Sequence, residues 1–282
     1  VYKGYEGIGL YQGAYDCTVE NNVVYDGRSY MIYVGDGSYD NLVQNNLVYS
    51  SNGVDTKRGI GIGCENTSRC DSMSTCGAGN VIFANMVSGA EVGFGMNNGC
   101  EVYNASLNRT LSNVLIYSNT LIDNEDNFYF NNMDSSSSSG NLIKNNISWT
   151  ITIAMDHVQN CDPAGTTWDN NLFDEDPGNT NCDDGQINKT PGLVKTSGWR
   201  SLTSAGVDGT DFGFTGETAT GYNDGITISG YNDRITDSDF TATPISVTTD
   251  TDTTPFSVGA WMYGAGEPAS TGSNISGNFS IN

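Results

Sequence analysis

Six segments of the chain superimpose on one asparagine: "TVENNVVY" (18–25), "LVQNNLVY" (42–49), "VIFANMVS" (81–88), "LIYSNTLI" (115–122), "LIKNNISW" (142–149) and "TWDNNLFD" (167–174). The shared column is Asn22, Asn46, Asn85, Asn119, Asn146 and Asn171. Three places earlier stand Val19, Val43, Ile82, Ile116, Ile143 and Trp168. The intervals are 24, 39, 34, 27 and 25 residues, so a unit near 24 recurs with insertions. Each unit holds three short apolar runs; after Asn22 they are "VVY", "MIYV" (31–34) and "LVQ" (42–44). Three strands per unit describe one coil of a solenoid, and repetition at such a period is the trace that stacked repeats leave in sequence. The extra residues fall in loops, notably "CENTSRCDSMSTC" (64–76) and "MNNGCEVYNASLNRTL" (96–111).

An amide at the buried end of a strand loses its water, at about 1–3 kcal/mol unless it finds a partner. Coils stacked at strand spacing, about 4.8 Å, lay each asparagine over the next, so that the amides bond to one another in a ladder. Asn also tolerates the left-handed backbone of a sharp corner, which β-branched residues resist. The expectation is therefore a ladder whose asparagines also turn the corners.

This pattern resembles the right-handed parallel β-helix (pectate-lyase-like) superfamily of the secreted bacterial type, over about residues 5–175. The resemblance implies an all-β, right-handed parallel solenoid of about six coils, three strands per coil, across residues 1–189. It leaves chemistry open, because that superfamily spans lyases, hydrolases, epimerases, tailspikes, adhesins and structural proteins. Residues 190–266 break the period, and "TPFSVGAWMYG" (254–264) resembles the P-x-I-G-A-Y-E-like strand that closes many such proteins. Val258 to Trp261 fit that strand, whereas Met262 stands at its usual acidic place. Residues 190–266 are thus expected to close the helix and pack on it, with 267–282 as a polar tail.

Strand alternation sends Ile8, Leu10, Ile32, Val34, Ile60, Ile62, Val92, Phe94, Phe128, Phe130, Ile153 and Met155 inward. The outward set is Gly9, Tyr11, Tyr33, Gly61, Gly63, Gly93, Gly95, Tyr129, Asn131, Ala154 and Asp156. That is a glycine floor flanked by tyrosines, with Glu65, Asn97, Asn98, Asp134 and His157 on loops beside it and Lys57 and Arg58 at one edge. As a binding surface it suits an extended sugar chain, rings against pyranose faces and amides around the hydroxyls. As a packing surface it lets another backbone come close, because glycine has no Cβ.

Catalytic signals are thin. The superfamily's polyuronate lyases set an Arg or Lys base beside acidic calcium ligands, and its polygalacturonase-like hydrolases carry N-T-D, D-D, G-H-G and R-I-K. Neither G-H-G nor R-I-K occurs here. Asp183 and Asp184 in "CDDG" (182–185) read as a solvated turn. Asp156, His157 and Arg58 are the remaining candidates for acid or base work, although neighbours in a strand point to opposite faces.

Seven cysteines, Cys17, Cys64, Cys70, Cys76, Cys100, Cys161 and Cys182, sit mostly in loops. Disulfides with one thiol left over fit them better than zinc, which favours tighter pairs with histidine. N-x-S/T sequons begin at Asn66, Asn104, Asn108, Asn146, Asn188, Asn274 and Asn278. Lys plus Arg number 11 against 33 Asp plus Glu, a net charge of −22 that repels nucleic acid and anionic lipid. No apolar run is long enough to span a membrane. No cofactor is implied; "GYNDGI" (221–226) and "GYNDRI" (230–235) read as paired turns, with calcium binding as the lesser reading. A trimmed N-terminus, an extracellular or cell-surface setting and self-association into oligomers or fibres complete the expectation. A carbohydrate-active enzyme or glycan-binding module is the alternative.

Overall fold

The structure, a computed structural model, describes residues 4–50, 58–64, 77–98, 111–131, 138–150, 158–159, 166–174 and 185–186. These residues form a right-handed parallel β-helix. Three sheets receive the chain in rotation, and every pairing between coils is parallel.

The first sheet stacks Ile8–Leu10, Tyr30–Gly35, Arg58–Cys64, Val92–Asn98, Asp126–Asn131 and Val158–Gln159. The second stacks Thr18–Glu20, Leu42–Gln44, Val81–Phe83, Leu115–Tyr117, Asn141–Lys144 and Thr166–Asp169. The third runs from Val23–Tyr25 through Leu47–Tyr49, Met86–Ser88, Thr120–Ile122, Ile147–Trp149 and Asn171–Phe173 to Gly185–Gln186. A small fourth pair, Leu111–Ser112 with Ser138–Ser139, joins two of the loop insertions.

Register turns the repeat into columns. Ile8, Ile32, Ile60, Phe94, Phe128 and Val158 lie over one another, as do Leu10, Val34, Ile62, Met96 and Phe130. With Val43, Ile82, Ile116 and Ile143 of the second sheet and Val24, Val48, Val87 and Leu121 of the third, they form one continuous core. Toward the later coils its aromatic members interlock edge to face: Phe128 and Phe130 meet Trp168 at centroid distances of 5.4 and 5.6 Å. Burial on this scale, at about 25 cal/mol per Å² of apolar surface, is the main stabilising term.

Two assignments of face change. Val92 is not part of that core; it shares a register column with Tyr30, Arg58 and Asp126, ahead of the point where each strand enters the apolar columns. Its side chain lies against the outer side of Gly95, while Met96 takes the inward place. Gly93, expected outside, faces the interior, where a Cβ would stand 2.7 Å from Asn124 Nδ2 and 2.8 Å from the Asn127 carbonyl. The strand bends as it leaves the corner, so strict alternation begins only after it. Ile153, Ala154, Met155, Asp156 and His157 lie outside the described residues, as do 190–266 and 267–282.

The ladder is present, and it divides the corner between two residues. Positive φ belongs to the residue before each ladder asparagine: Asn21, Asn45, Ala84, Ser118, Asn145 and Asn170, between 51° and 55°. The ladder asparagines themselves have ordinary backbone, contrary to the expectation that one residue does both jobs. Oδ1 of Asn119 accepts from the backbone N–H and from Nδ2 of Asn85, and Oδ1 of Asn146 accepts the same pair from Asn119. From Asn46 onward each Nδ2 also reaches back to the carbonyl three places before the previous rung, as Asn46 does to Val19 and Asn171 to Ile143. An amide with two donors and two acceptor sites is thereby fully used.

The other two corners repeat the device in broken form. Between the first and second sheets, Asn41 donates through N and Nδ2 to Asn80 Oδ1, and Val114 donates its N–H to Asn141 Oδ1. Between the third and first, Ala90 N–H donates to Asn124 Oδ1. Asn124 and Asn127 are both fully buried, and Asn127 Nδ2 donates to Ser148 Oγ at 2.8 Å. That bond explains why a serine interrupts an otherwise apolar column.

Candidate functional site

The face singled out by the sequence is the outer side of the first sheet. Gly9, Tyr33, Gly61, Gly95, Tyr129 and Gln159 form one register column across it, and Gly35, Gly63, Asn97 and Asn131 form the next. Asp126 and Arg58 share the column of Tyr30 at its edge.

The glycines are there because tyrosines lie on them. A Cβ on Gly9 would fall inside the Tyr11 ring, one on Gly35 inside the Tyr33 ring, and one on Gly61 inside the Tyr30 ring. Tyr11 and Tyr33 are 5.4 Å apart by centroid, and Tyr33 and Tyr30 stack at 4.5 Å. The Tyr11 hydroxyl donates a hydrogen bond to the Glu6 carboxylate. Tyr30 and Tyr33 are each only 2% exposed, so this part of the floor is filled rather than open.

Arg58 continues the row. Its guanidinium lies 4.9 Å from the Tyr30 centroid and 5.7 Å from that of Tyr129, and it donates a short hydrogen bond to the Tyr30 hydroxyl. The strand between Arg58 and Tyr129 offers only Val92 and Gly95 to this part of the face, small enough for a guanidinium to pass over. Cation–π contacts of this kind contribute about 0.5–2 kcal/mol, more as they are desolvated. A permanently charged group held between two rings is placed for packing or for an anion; as a proton acceptor it is a poor choice.

The far part of the face is different. Around Gly95 a Cβ would meet nothing nearer than Val92 at 3.5 Å, and Tyr129 and Asn131 are half-buried. Asn131 Nδ2 donates to Asn97 Oδ1 at 3.2 Å. Gly63 marks the boundary, with the Asn97 carbonyl 2.6 Å from where its Cβ would be.

Of the other predicted site residues, Asp156 and His157, Lys57, Glu65, Asp134, Asp183 and Asp184, and the "GYND" turns lie outside the described residues. So do the sequons at Asn66, Asn104, Asn108, Asn188, Asn274 and Asn278. The sequon at Asn146 falls on a ladder rung whose amide is fully buried and bonded to Asn171, a position no glycan can occupy in the folded chain. Cys17 is a free thiol, its Sγ directed at the Tyr15 carbonyl. No disulfide occurs among the described residues, and the side chains of the other six cysteines lie outside them. Among the described residues no cluster of three or more His, Cys, Asp or Glu is placed to hold a metal, and no helix is long and apolar enough to cross a membrane.

Tyr30 is the residue of this face that alternation missed, because it precedes the bend. The second ladder was also missed, although its signal is visible: Asn41, Asn80 and Asn141 each stand five places before a rung of the first.

The chain therefore belongs, by architecture, among the parallel β-helix solenoids. Set against protein-family models, curated proteins and solved structures, it finds no match.

Proposed function

We propose that this is an extracellular structural or surface-assembly protein of the pectate-lyase-like type, a fibre or adhesive subunit that self-associates. One observation carries the reading: Tyr30 and Tyr33, on the outer face where a sugar would lie, are 2% exposed and set into the Cβ space of Gly61 and Gly35. Rings that bind pyranose faces must be open; rings packed on glycine stiffen a wall. A net charge of −22 opposes contact between copies, and salt relieves that opposition. Sedimentation and electron microscopy of the full chain should show oligomers or filaments that grow with protein concentration and with salt. A monomer at high concentration in both low and high salt would overturn the reading.

The half-open patch of Gly95, Tyr129, Asn97 and Asn131 favours a second reading, a glycan-binding surface confined to the later coils. It predicts that Tyr129→Ala weakens retention on a glycan array of neutral and acidic polysaccharides, while Tyr33→Ala acts only through stability. An array with no signal, with and without calcium, removes it.

A further inference from the structure

The outer side of the first sheet is filled over its earlier coils and open over its later ones. Tyr11, Tyr33 and Tyr30 lie down on Gly9, Gly35 and Gly61, each ring taking the space that a Cβ would need. Tyr129 does not lie on Gly95, its register partner: a Cβ there would meet only Val92 Cγ1 at 3.5 Å and the Tyr129 carbonyl oxygen at 3.8 Å. The Tyr129 ring therefore stands clear of the floor, half-buried, with the Arg58 guanidinium 5.7 Å from its centroid. Among the described residues its hydroxyl enters no hydrogen bond.

Asn131, two places along the same strand and so on the same face, completes the patch. Its Nδ2 gives one hydrogen to Asn97 Oδ1 at 3.2 Å, which fixes the orientation of the amide. A second Nδ2 hydrogen and the Oδ1 acceptor are left over, and among the described residues nothing takes them up. A phenol ring beside an amide that offers one donor and one acceptor suits a sugar. The sugar's ring face packs on the phenol, and a hydroxyl, itself donor and acceptor, answers the amide. A carboxylate or sulfate group only accepts, so it would meet Asn131 Oδ1 lone pair to lone pair.

Charge points the same way. Arg58 is the one cation on the strands described for this sheet, and its guanidinium already donates to the Tyr30 hydroxyl. Asp126 shares its register column, and Glu91 and Glu125 are exposed at the corner just before. With a net charge of −22 on the chain, an anionic ligand gains no attraction here.

We propose that the patch of Gly95, Asn97, Tyr129 and Asn131 binds an uncharged polysaccharide and turns away polyuronates and sulfated chains. This rests on the glycan-binding reading of the patch and names its ligand class. One sugar lies against Tyr129 over Gly95, with its hydroxyls on Asn131 and the Tyr129 hydroxyl.

Affinity electrophoresis of the full chain tests this in gels carrying matched polymers that differ chiefly in charge. The pairs are a β-glucan and its carboxymethyl form, and polygalacturonan as the full methyl ester and as the free acid; a mannan and a galactan extend the uncharged set. An uncharged polymer should retain the chain at least about tenfold more tightly than its charged counterpart, and equally in low and high salt. Tyr129→Ala and Asn131→Ala should each weaken that binding about tenfold while thermal midpoints stay close to wild type. Tyr129→Phe should lose less than Tyr129→Ala, because the ring remains. Retention by a charged polymer as tight as by its uncharged partner, with or without calcium, leaves glycan binding standing and overturns the ligand class. Retention that ignores Tyr129→Ala and Asn131→Ala puts the glycan elsewhere and overturns the site. If none of these polymers retains the chain, the glycan-binding reading falls and this proposal falls with it.

Discussion

Asn85 gives two hydrogens to a single oxygen of Asn119, its backbone N–H at 2.9 Å and its Nδ2 at 3.0 Å. A second Nδ2 hydrogen goes back to the Val43 carbonyl, and its Oδ1 accepts the matching pair from Asn46. One fully buried side chain thus ties three coils. Asn85→Leu removes this and strands donors and acceptors above and below, so it should cost about 2–4 kcal/mol. Asn22→Leu, half-buried at the first described rung, should cost under about 1.5 kcal/mol. Denaturant midpoints of the two variants and wild type measure the difference, and an Asn85→Leu midpoint equal to wild type would refute the ladder's role.

The residue before each rung offers a gain rather than a loss. Ser118 holds φ at 53°, where serine is strained and asparagine, present at Asn145 in the next corner, is tolerated. Ser118→Asn should raise stability by about 0.5–1 kcal/mol. Ser118→Val should lower it by at least about 1 kcal/mol, since β-branched side chains fit this region worst. Thermal midpoints moving the other way, or not at all, would show that the corner does not hold this strain.

These two positions also mark how far the sequence could be read. The rung column was legible because a buried amide needs an identical neighbour, and that need repeats Asn in every coil. The left-handed position was hidden because Asn, Ala and Ser all occupy it, so no single letter marks it. Alternation placed Ile32, Val34, Ile60 and Ile62 correctly, and failed at Val92 and Gly93, where the strand leaves a corner and bends. Tyr33 and Tyr129 share a register column with Gly61 and Gly95, but the burial of the rings depends on how they fold down onto glycines in the same and neighbouring strands. Spacing along the chain carries no sign of that.

The glycines under those rings separate packing from open surface. Gly61→Ala drives a methyl group into the Tyr30 ring, which is itself held by Tyr33 and Arg58, and overpacking of this sort costs about 1–3 kcal/mol. Gly95→Ala meets only ordinary contacts at 3.5 Å or beyond and should change stability by under about 0.5 kcal/mol. Tyr30→Ala should recover part of what Gly61→Ala loses when the two are combined. Urea titrations of the three single variants and of the double variant test this; equal costs at Gly61 and Gly95 would mean that the rings do not rest on the floor.

Tyr49 provides a pH dependence. It stacks on Tyr25 with centroids 5.1 Å apart and planes 3° from parallel, on the third sheet. Burial, with the neighbouring Tyr25 and Asp26 adding repulsion, pushes its phenol up from 10.0 to about 12. A raised folded value means that the unfolded chain gives up this proton first, so the folded state holds its full advantage below pH 10 and loses it as pH climbs from 10 toward 12. Tyr49→Phe has no proton to lose and should show a shallower alkaline decline, although it starts from whatever stability the missing hydroxyl leaves. Stability of both proteins followed by denaturant unfolding from pH 8 to pH 12 checks the slope; parallel curves above pH 10 would show that Tyr49 ionises as readily folded as unfolded.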